Sequence, residues 1–574
     1  ERLVMPTLIE PLRAEWQTVQ VAAETWLQQD KTDKALGEVT DFHHRLCQTR
    51  VLDPACGSAN FLYVALEHMK RLEGEVLNLM RDLSSGQTRL DTEGLSVGPQ
   101  QFLGMEINPR AAAVAEIVLW IGYLQWQLRI HGRLDLPEPL LKDLHNIECR
   151  DALIDYDARE PMTDEHGEPI TVWDGISYKE SPATGELVPD EGGRATVYHY
   201  INPRKAQWPA ADYVIGNPPF IGAKRMRQLL GDGYVDAIQA VWTDVPQSSD
   251  FVMRWWHHAA ELARTGEIRQ FGFITTNSIG QSYIRRAVEP HLTAKKPLSI
   301  VYAVPDHPWV QSSDGAAVRI SMTVGRGGSA PGVLNTVVSE REDATEHEDL
   351  VKIMLPRQGK IHANLRVGPN VAGCVPLSAN RGLCAVGMKT IGSGFQISEA
   401  KARDLGLGTV DGLDAHIRPY INGRDFTSTR RGIYVIDFFG LTRDEVQTRF
   451  PAAYQHLLDT VKPERDHNRN RSFRETWWVI GHPRQEFRAF TKELDHYLVT
   501  VETMKHRVFG VMPASVTPDS TLVTFGLSTP GALGVLSSRI HVAWALATGG
   551  RLGMGNDPRY NKTRCFETFP FPEQ

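Results

Sequence analysis

Val51-Leu52-Asp53-Pro54-Ala55-Cys56-Gly57-Ser58-Ala59-Asn60-Phe61 begins as an apolar strand end and passes through a turn of small residues. A helix is predicted over Phe61–Leu79, where Leu62, Ala65, Leu66, Met69, Leu72, Val76 and Leu79 recur at three-to-four spacing. Strand, small-residue turn and helix in that order bring backbone amides close to a nucleotide-type cofactor. Asp53, at the strand tip, is badly placed for a phosphate. It is well placed for a cationic ligand such as the aminoacyl end of S-adenosylmethionine.

Two further strands follow the same plan. Gln101–Met105 ends in Glu106, and Ile147-Glu148-Cys149-Arg150-Asp151-Ala152-Leu153 carries Asp151 at its close. In Rossmann-like sites an acid ~20 residues beyond the glycine turn binds the ribose hydroxyls. Here the gap is longer because the polar run Arg81–Gln100 intervenes. An acid in the place of Asp151 accepts from the adenine amino group in sites of this class. Taken singly, Glu106 also reads as a solvated acid ending a strand and Asp151 as a plain loop acid. Taken in series, with Asn217 closing a fourth strand, they line the carboxyl ends of a sheet, where open α/β folds bind their ligands.

The fourth strand end is Ile215-Gly216-Asn217-Pro218-Pro219-Phe220. Two consecutive prolines fix φ and supply no N–H, so their carbonyls are free acceptors. The Asn217 carboxamide adds another acceptor, and Phe220 offers a face on which a planar base stacks. Two acceptors aimed at an exocyclic amine would turn its lone pair toward an electrophile. A plain strand-to-loop turn is the other reading, since Asn-Pro marks turns generally.

Asp-Pro-Ala-Cys-Gly-Ser-Ala-Asn-Phe followed by Asn-Pro-Pro-Phe resembles the amino-group DNA methyltransferases, specifically the N6-adenine enzymes with the cofactor motif first. Asn217–Gly222, Ile117–Trp126 and Phe566-Glu567-Thr568-Phe569-Pro570-Phe571-Pro572 resemble the MmeI-like branch. That branch includes type IIL restriction-modification enzymes and the adenine methyltransferase of DISARM phage-defence systems. The resemblance implies S-adenosylmethionine contacts at Asp53, Ala55, Gly57, Glu106 and Asp151, with Cys56, Asn60, Phe61, Ile107 and Ala152 beside them. It also implies a catalytic loop of Asn217, Pro218, Pro219 and Phe220 holding an adenine flipped out of duplex DNA. The fold it implies is a Rossmann-like α/β methyltransferase sheet followed by a mixed α+β target-recognition domain.

Two departures stand out. Ala59 occupies the position where the family has a second glycine, which costs on the order of 1 kcal/mol or more only if φ there is positive. The Tyr-Thr-Pro motif that such enzymes carry before their first helix is absent, and the chain opens at Glu1-Arg2-Leu3-Val4-Met5-Pro6 inside that helix. The expectation is a fragment preceded by further cofactor contacts and by a nuclease or helical domain.

A chain of 574 residues, 41% hydrophobic and 23% charged, has room for two or three globular domains. Its six cysteines form no Cys-x-x-Cys pair, which points to a reducing, cytoplasmic setting and to no metal site. No membrane span and no secretory signal are expected. The net charge of -7 is not that of a typical nucleic-acid binder, but the cations cluster. Lys462, Arg465, Arg469, Arg471 and Arg474 precede Trp477-Trp478, and Arg424, Arg430 and Arg431 form a second group. Both groups read as DNA contacts or as solvated faces, with double-stranded DNA the partner under the first reading, alongside other subunits of a defence system.

Residues 1–330 read as the methyltransferase domain, a parallel α/β sheet, with 157–208 an inserted excursion rich in Pro, Gly and Glu. Further helix is expected over Asp250–Glu261 and strands over Gln270–Ser278 and Ala316–Val324. Gly325–Gly332 is the expected linker, 331–510 a target-recognition domain, and 511–574 a segment packing back on it. Cytosine N4, RNA bases and protein glutamine are alternative methyl acceptors for the same motif. An inactive recognition subunit is the alternative from another class.

Overall fold

The computed structural model describes all residues except 85–94, 132–144, 174–177, 181–186, 190–191, 282–283, 309–318, 343–348, 354–355, 469, 553–556 and 573–574. The chain divides into two compact units, Glu1–Gly368 and Pro369–Gln574.

The first unit is built on a nine-stranded sheet. Its strands in chain order are β1 (Val51–Asp53), β2 (Phe102–Met105), β3 (Ile147–Glu148), β4 (Tyr213–Gly216), β5 (Gln270–Thr276), β6 (Leu298–Pro308), β7 (Arg319–Gly327), β8 (Gly332–Leu334) and β9 (Arg357–Gly359). In space they run β9-β8-β6-β7-β5-β4-β1-β2-β3. Helices α1 (Glu10–Leu27), α2 (Thr32–Gln48), α3 (Asn60–Leu83) and α4 (Pro109–His131) precede or alternate with the first strands. Helices α5 (Ala223–Leu230), α6 (Asp232–Val241) and α7 (Met253–Thr265) lie between β4 and β5.

Side-chain alternation along the central strands fills two cores. Val51, Tyr213 and Ile215 join Trp16, Phe42, Leu62 and Met69 on one face. Leu52 and Val214 join Trp242, Trp256, Phe271 and Phe273 on the other. Covering both faces is what lets short strands with apolar residues on both sides pair in parallel.

The sheet is mixed, where the sequence suggested a parallel one. β3, β2, β1, β4 and β5 are parallel, but β7 is antiparallel to both β5 and β6. β6 and β7 are consecutive in the chain, and an antiparallel pair needs no crossover helix. Residues 316–318 of the expected strand Ala316–Val324 lie outside the described residues.

Gly325–Gly332 is not a linker between units. It ends β7 and starts β8 within one sheet, and its glycines serve close approach. A Cβ at Gly327 would lie 2.2 Å from the Ala263 carbonyl oxygen of α7, and one at Gly332 would lie 2.3 Å from that of Ile300. The unit boundary falls instead between Gly368 and Pro369.

Within α4, Pro109–Arg129 is long and apolar enough to cross a membrane by length and composition, with mean hydropathy 1.2, although no such run was expected. Its place is that of a crossover helix between the parallel neighbours β2 and β3, with Ala112, Ala115 and Leu119 buried in the core.

The excursion 157–208 is a nested antiparallel ribbon. Ala158–Pro161 pairs with Tyr198–Ile201, Thr171–Trp173 with Arg194–Thr196, and Tyr178–Glu180 with Leu187–Pro189.

The second unit contains β10 (Cys384–Val386), β11 (Gln396–Ser398), β12 (Ile417–Ile421), β13 (Ile433–Ile436), β14 (His496–Val501), β15 (Phe509–Pro513), β16 (Thr517–Pro518) and β17 (Leu522–Phe525), with the short helix α8 (Gly423–Thr427). They form two sheets, β10-β17-β14-β15 and β11-β13-β12-β16. β17 pairs on both sides, with β10 and β14. Residues beyond 510 therefore supply an inner strand, and Leu536, Ala545, Tyr560 and Phe566 pack in one core with Cys384, Leu498 and Phe525.

Candidate active site

β1 ends in Asp53, whose carboxylate is buried. Its Oδ1 accepts from the Ala55 amide at 3.0 Å. The turn is pinned on two further sides: the Cys56 amide donates to the Met105 carbonyl of β2 at 3.1 Å, and Trp255 Nε1 of α7 donates to the Pro54 carbonyl at 3.1 Å. Gly57 and Ala59 both have positive φ, +53° and +61°. The condition under which alanine costs stability is therefore met, and Ala59 starts α3 in the left-handed region.

Glu106, directly after β2, binds the same turn. Its Oε2 accepts from the Gly57 amide at 3.0 Å and its Oε1 from the Asn108 amide at 2.9 Å. Burial pushes the Asp53 carboxyl up to about 7; the Ala55 amide opposes this and the Glu106 charge adds to it. Two acids brought together by one turn, one of them fully buried, form a site that favours a cationic ligand.

Asp151 lies just beyond β3. Its Oδ1 accepts from the Leu153 and Ile154 amides at 2.7 and 3.4 Å, and its Oδ2 from the Tyr234 hydroxyl of α6 at 2.5 Å. Burial raises its pKa, and those hydrogen bonds oppose the rise.

Asn217 follows β4. Its Oδ1 is buried and has no hydrogen-bond partner among the described residues. An unsatisfied buried acceptor costs roughly 1–3 kcal/mol, so its persistence marks a place for a donor. Gly216 brings this loop against the acid site: a Cβ there would lie 2.6 Å from Asp53 Oδ1. Pro218 is buried, Pro219 exposed, and Phe220 half-buried against both cores. The loop is tied to the start of α7 by the Phe251 amide, which donates to the Ile221 carbonyl at 2.8 Å. Asp250 beside it accepts from Thr276 Oγ1 and Ser278 Oγ at 2.6 and 2.7 Å.

These pieces surround one cleft of about 930 Å³. Ala55, Glu106, Ile107, Asp151, Ala152, Asn217 and Pro219 line it. Asp53, Cys56, Gly57, Asn60 and Phe61 stand behind them in the turn and the start of α3, and Phe220 is not on the cleft wall. Its aromatic wall is Tyr156, Tyr200, Tyr234, Phe251 and Trp255, in edge-on contact along the series at 4.9, 5.8, 6.4 and 4.9 Å between ring centroids. Sequence reading missed this wall because its members come from distant stretches: Tyr156 ahead of the inserted ribbon, Tyr200 within it, Tyr234 on α6, Phe251 just before α7 and Trp255 at its start. The aromatic alternation Tyr198-His199-Tyr200 was the available signal.

Among the described residues, two clusters hold groups within reach of a common ion, His43–Cys47–Glu73 and Asp244–His257–Glu261. In each, an ammonium already sits on the carboxylate: Lys70 Nζ at 2.6 Å from Glu73 and Lys205 Nζ at 2.9 Å from Glu261. The positive charge an ion would bring is supplied by the protein.

The cations of the second unit are placed less uniformly than their spacing suggested. Arg465 is in the core and donates to the carbonyls of Ile391, Thr390 and Val479 at 2.8, 3.0 and 3.3 Å. It cannot meet a phosphate, which corrects its reading as a DNA contact. Lys462 pairs with Asp466, Arg471 with Glu475, and Arg474 donates to the Asn468 carbonyl. Arg431 grips Asp425 through two 2.8 Å hydrogen bonds. Arg424 and Arg430 are exposed. Arg469 lies outside the described residues.

The first unit's geometry has counterparts among known proteins. Residues 27–332 match the family model described as MmeI, DNA-methyltransferase domain, and residues 378–573 match MmeI, target recognition domain. DNA methyltransferase A of Bacillus subtilis (strain 168) is 23% identical over 539 residues, covering 92% of this chain and 53% of that protein. The chain thus spans about half the length of that relative. A putative type II restriction enzyme and methyltransferase of Methanocaldococcus jannaschii is 27% identical over 116 residues, covering 20% of this chain and 9% of that protein. Among solved structures, the type IIL restriction-modification enzyme MmeI in complex with DNA shares the fold. Its TM-score is 0.65 at 21% identity, covering 99% of this chain and 67% of that one. With both of its domain models matched in order, the chain belongs to the MmeI family, as a DNA-methyltransferase domain followed by a target recognition domain.

Proposed function

We propose that this chain is an S-adenosylmethionine-dependent DNA methyltransferase acting on N6 of an adenine flipped out of duplex DNA, in restriction-modification or phage defence. The observation that carries the reading is the buried, partnerless Oδ1 of Asn217 beside the Asp53–Glu106 acid site. An amine N–H satisfies that oxygen, and a cation satisfies the acids.

Asp53, Glu106 and Asp151 fit the cofactor's ammonium, ribose and adenine respectively, with Ile107 and Ala152 packing on its base. When bound, S-adenosylmethionine supplies a methyl group on a positively charged sulfur. Asn217 and the Pro218 carbonyl orient the target amine by accepting its two N–H bonds, so that its lone pair points away from them. The aromatic wall stacks planar groups and keeps water out. Extruding a base costs roughly a few kcal/mol, which stacking and these hydrogen bonds offset. Positioning and electrostatics supply the acceleration, without a side-chain nucleophile. The proton displaced from the amine leaves to solvent.

The test is transfer of radiolabelled methyl groups to unmodified duplex DNA, followed by nucleoside analysis. Label in N6-methyladenosine of the deoxy series is expected. Label in N4-methylcytosine, in RNA or in protein glutamine instead would overturn the assignment.

A further inference from the structure

We infer that a cleft of the second unit, between α8 and the loop joining β14 to β15, is a seat for the phosphate backbone of duplex DNA. This rests on the reading above and names the surface by which the recognition unit would hold its substrate. The cleft encloses about 800 Å³, and no acidic residue lines it. Arg424 projects from one wall, and Lys505 and His506 from the other; all three are exposed. None of the three has a hydrogen-bonding or ionic partner among the described residues. This sets them apart from Lys462, Arg471 and Arg431, whose charges are met by neighbouring carboxylates.

Both walls are rigidly held. Asn422 caps α8: its side chain accepts from the Asp425 amide at 2.9 Å, while Asp425 accepts from the Asn422 amide at 3.1 Å. Arg431 engages the Asp425 carboxylate and holds it well below the usual range, at about 2, so that it stays ionised with its charge matched by the guanidinium. On the opposite wall Arg507 is spent on structure, donating to the Val501 carbonyl and, at 3.0 Å, to that of Pro558. Glu502 is held by Arg559 at 2.8 Å, and the Met504 amide donates to the Pro558 carbonyl at 3.2 Å. Lys505 and His506 thus sit between two tethered residues, Met504 and Arg507. Phe426 packs over Gly510, where a Cβ would meet its ring at 2.8 Å, and gives the cleft an apolar floor.

Exposed basic side chains without internal partners on tethered walls, an apolar floor and no acid suit a polyanion with apolar sugar edges. Phosphate contacts of this kind position a duplex without reading its bases. Each such contact contributes about 0.9 to the slope of log binding constant against log salt.

The test compares the full chain with its R424A/K505A and R424K/K505R variants, using a fluorescent mixed-sequence DNA duplex over a series of salt concentrations. The alanine pair is expected to bind roughly tenfold more weakly at low salt, with the slope reduced by about 2. The lysine–arginine exchange keeps the slope, and S-adenosylmethionine binding by calorimetry is unchanged in both. A wild-type slope in the alanine pair, or no duplex binding by the parent chain, overturns the inference. So does loss of binding to an RNA or acidic-protein probe with duplex binding intact. If the parent chain binds duplex through these residues yet transfers no methyl label to it, the methyltransferase reading fails and the cleft assignment stands.

Discussion

Gly216 and Asp53 are in such close register that a methyl group at Gly216 would lie 2.6 Å from Asp53 Oδ1 and 3.3 Å from its Cγ. The absence of a side chain on β4 is what lets the carboxylate at the end of β1 stand beside the Asn217 loop. Gly216→Ala should displace that carboxylate while leaving the strand's pairing intact. Affinity for S-adenosylmethionine is expected to fall at least roughly tenfold, about 1.4 kcal/mol. Isothermal titration calorimetry measures it, and an unchanged affinity would remove Asp53 from the cofactor site.

Asn217→Ala removes the orphan acceptor without touching the acids. Methyl transfer to duplex DNA should drop by roughly 10²–10³-fold, as when one oriented polar group is deleted from an active site. Cofactor affinity should stay near that of the parent. Single-turnover assays with labelled cofactor decide it, and retained turnover sinks the amine-cradle role.

Asp53 gives the site a pH dependence. Its carboxyl is pushed up to about 7 from an ordinary 3.8, so between those values the folded chain holds a proton that the unfolded chain has released. This contribution to stability is full below the lower value and is lost as pH rises through about 7. A bound cation favours the ionised form, so cofactor affinity should climb from pH 6 to pH 8 and level off above. Uptake should be accompanied by proton release, visible in buffers of different ionisation enthalpy. Asp53→Asn is expected to flatten the profile; a parent chain with a flat profile would contradict the shift.

Ala59 stands at φ +61° with its methyl fully buried. Relief of left-handed strain in Ala59→Gly is worth roughly 1–2 kcal/mol, against about 0.8 kcal/mol for the buried methyl. The variant should be more stable by up to about 1 kcal/mol in urea unfolding. A lower midpoint would show that packing of the methyl outweighs the strain.

Arg465 should behave as a structural residue. Arg465→Ala strands three backbone carbonyls in the core. At roughly 1–3 kcal/mol for each unsatisfied group, a loss of about 3 kcal/mol or more is expected. Equilibrium unfolding measures it, and unchanged stability with weakened duplex binding would restore the phosphate role.

The strand–turn–helix around Asp53 was legible because its signals are local. The 3.6-residue period of α3 and the apolar run of β1 decide their own conformations; Asp53 ends β1, Glu106 and Asn217 directly follow β2 and β4, and Asp151 lies in the loop beyond β3. Partnership was not legible. Lys462, Arg465 and Arg471 look alike in a basic stretch, yet one is buried against carbonyls and two are matched by carboxylates one helical turn away. The exposed Lys505 and His506 lie in the short run Lys505-His506-Arg507, which is too brief to stand out beside the longer basic stretches.

The sequence by itself determined the motif series, the order of its two domains and the acids at successive strand ends, because short-range periodicity and residue chemistry settle these. Tertiary structure alone decided the antiparallel turn of the sheet beyond β5 and the aromatic wall drawn from ribbon and helices. It also decided that Gly216 lets Asp53 and Asn217 share one site. Those outcomes depend on which distant residues come into contact, and burial sets the chemistry of such contacts: it raises the Asp53 carboxyl and leaves the Asn217 oxygen waiting for a donor.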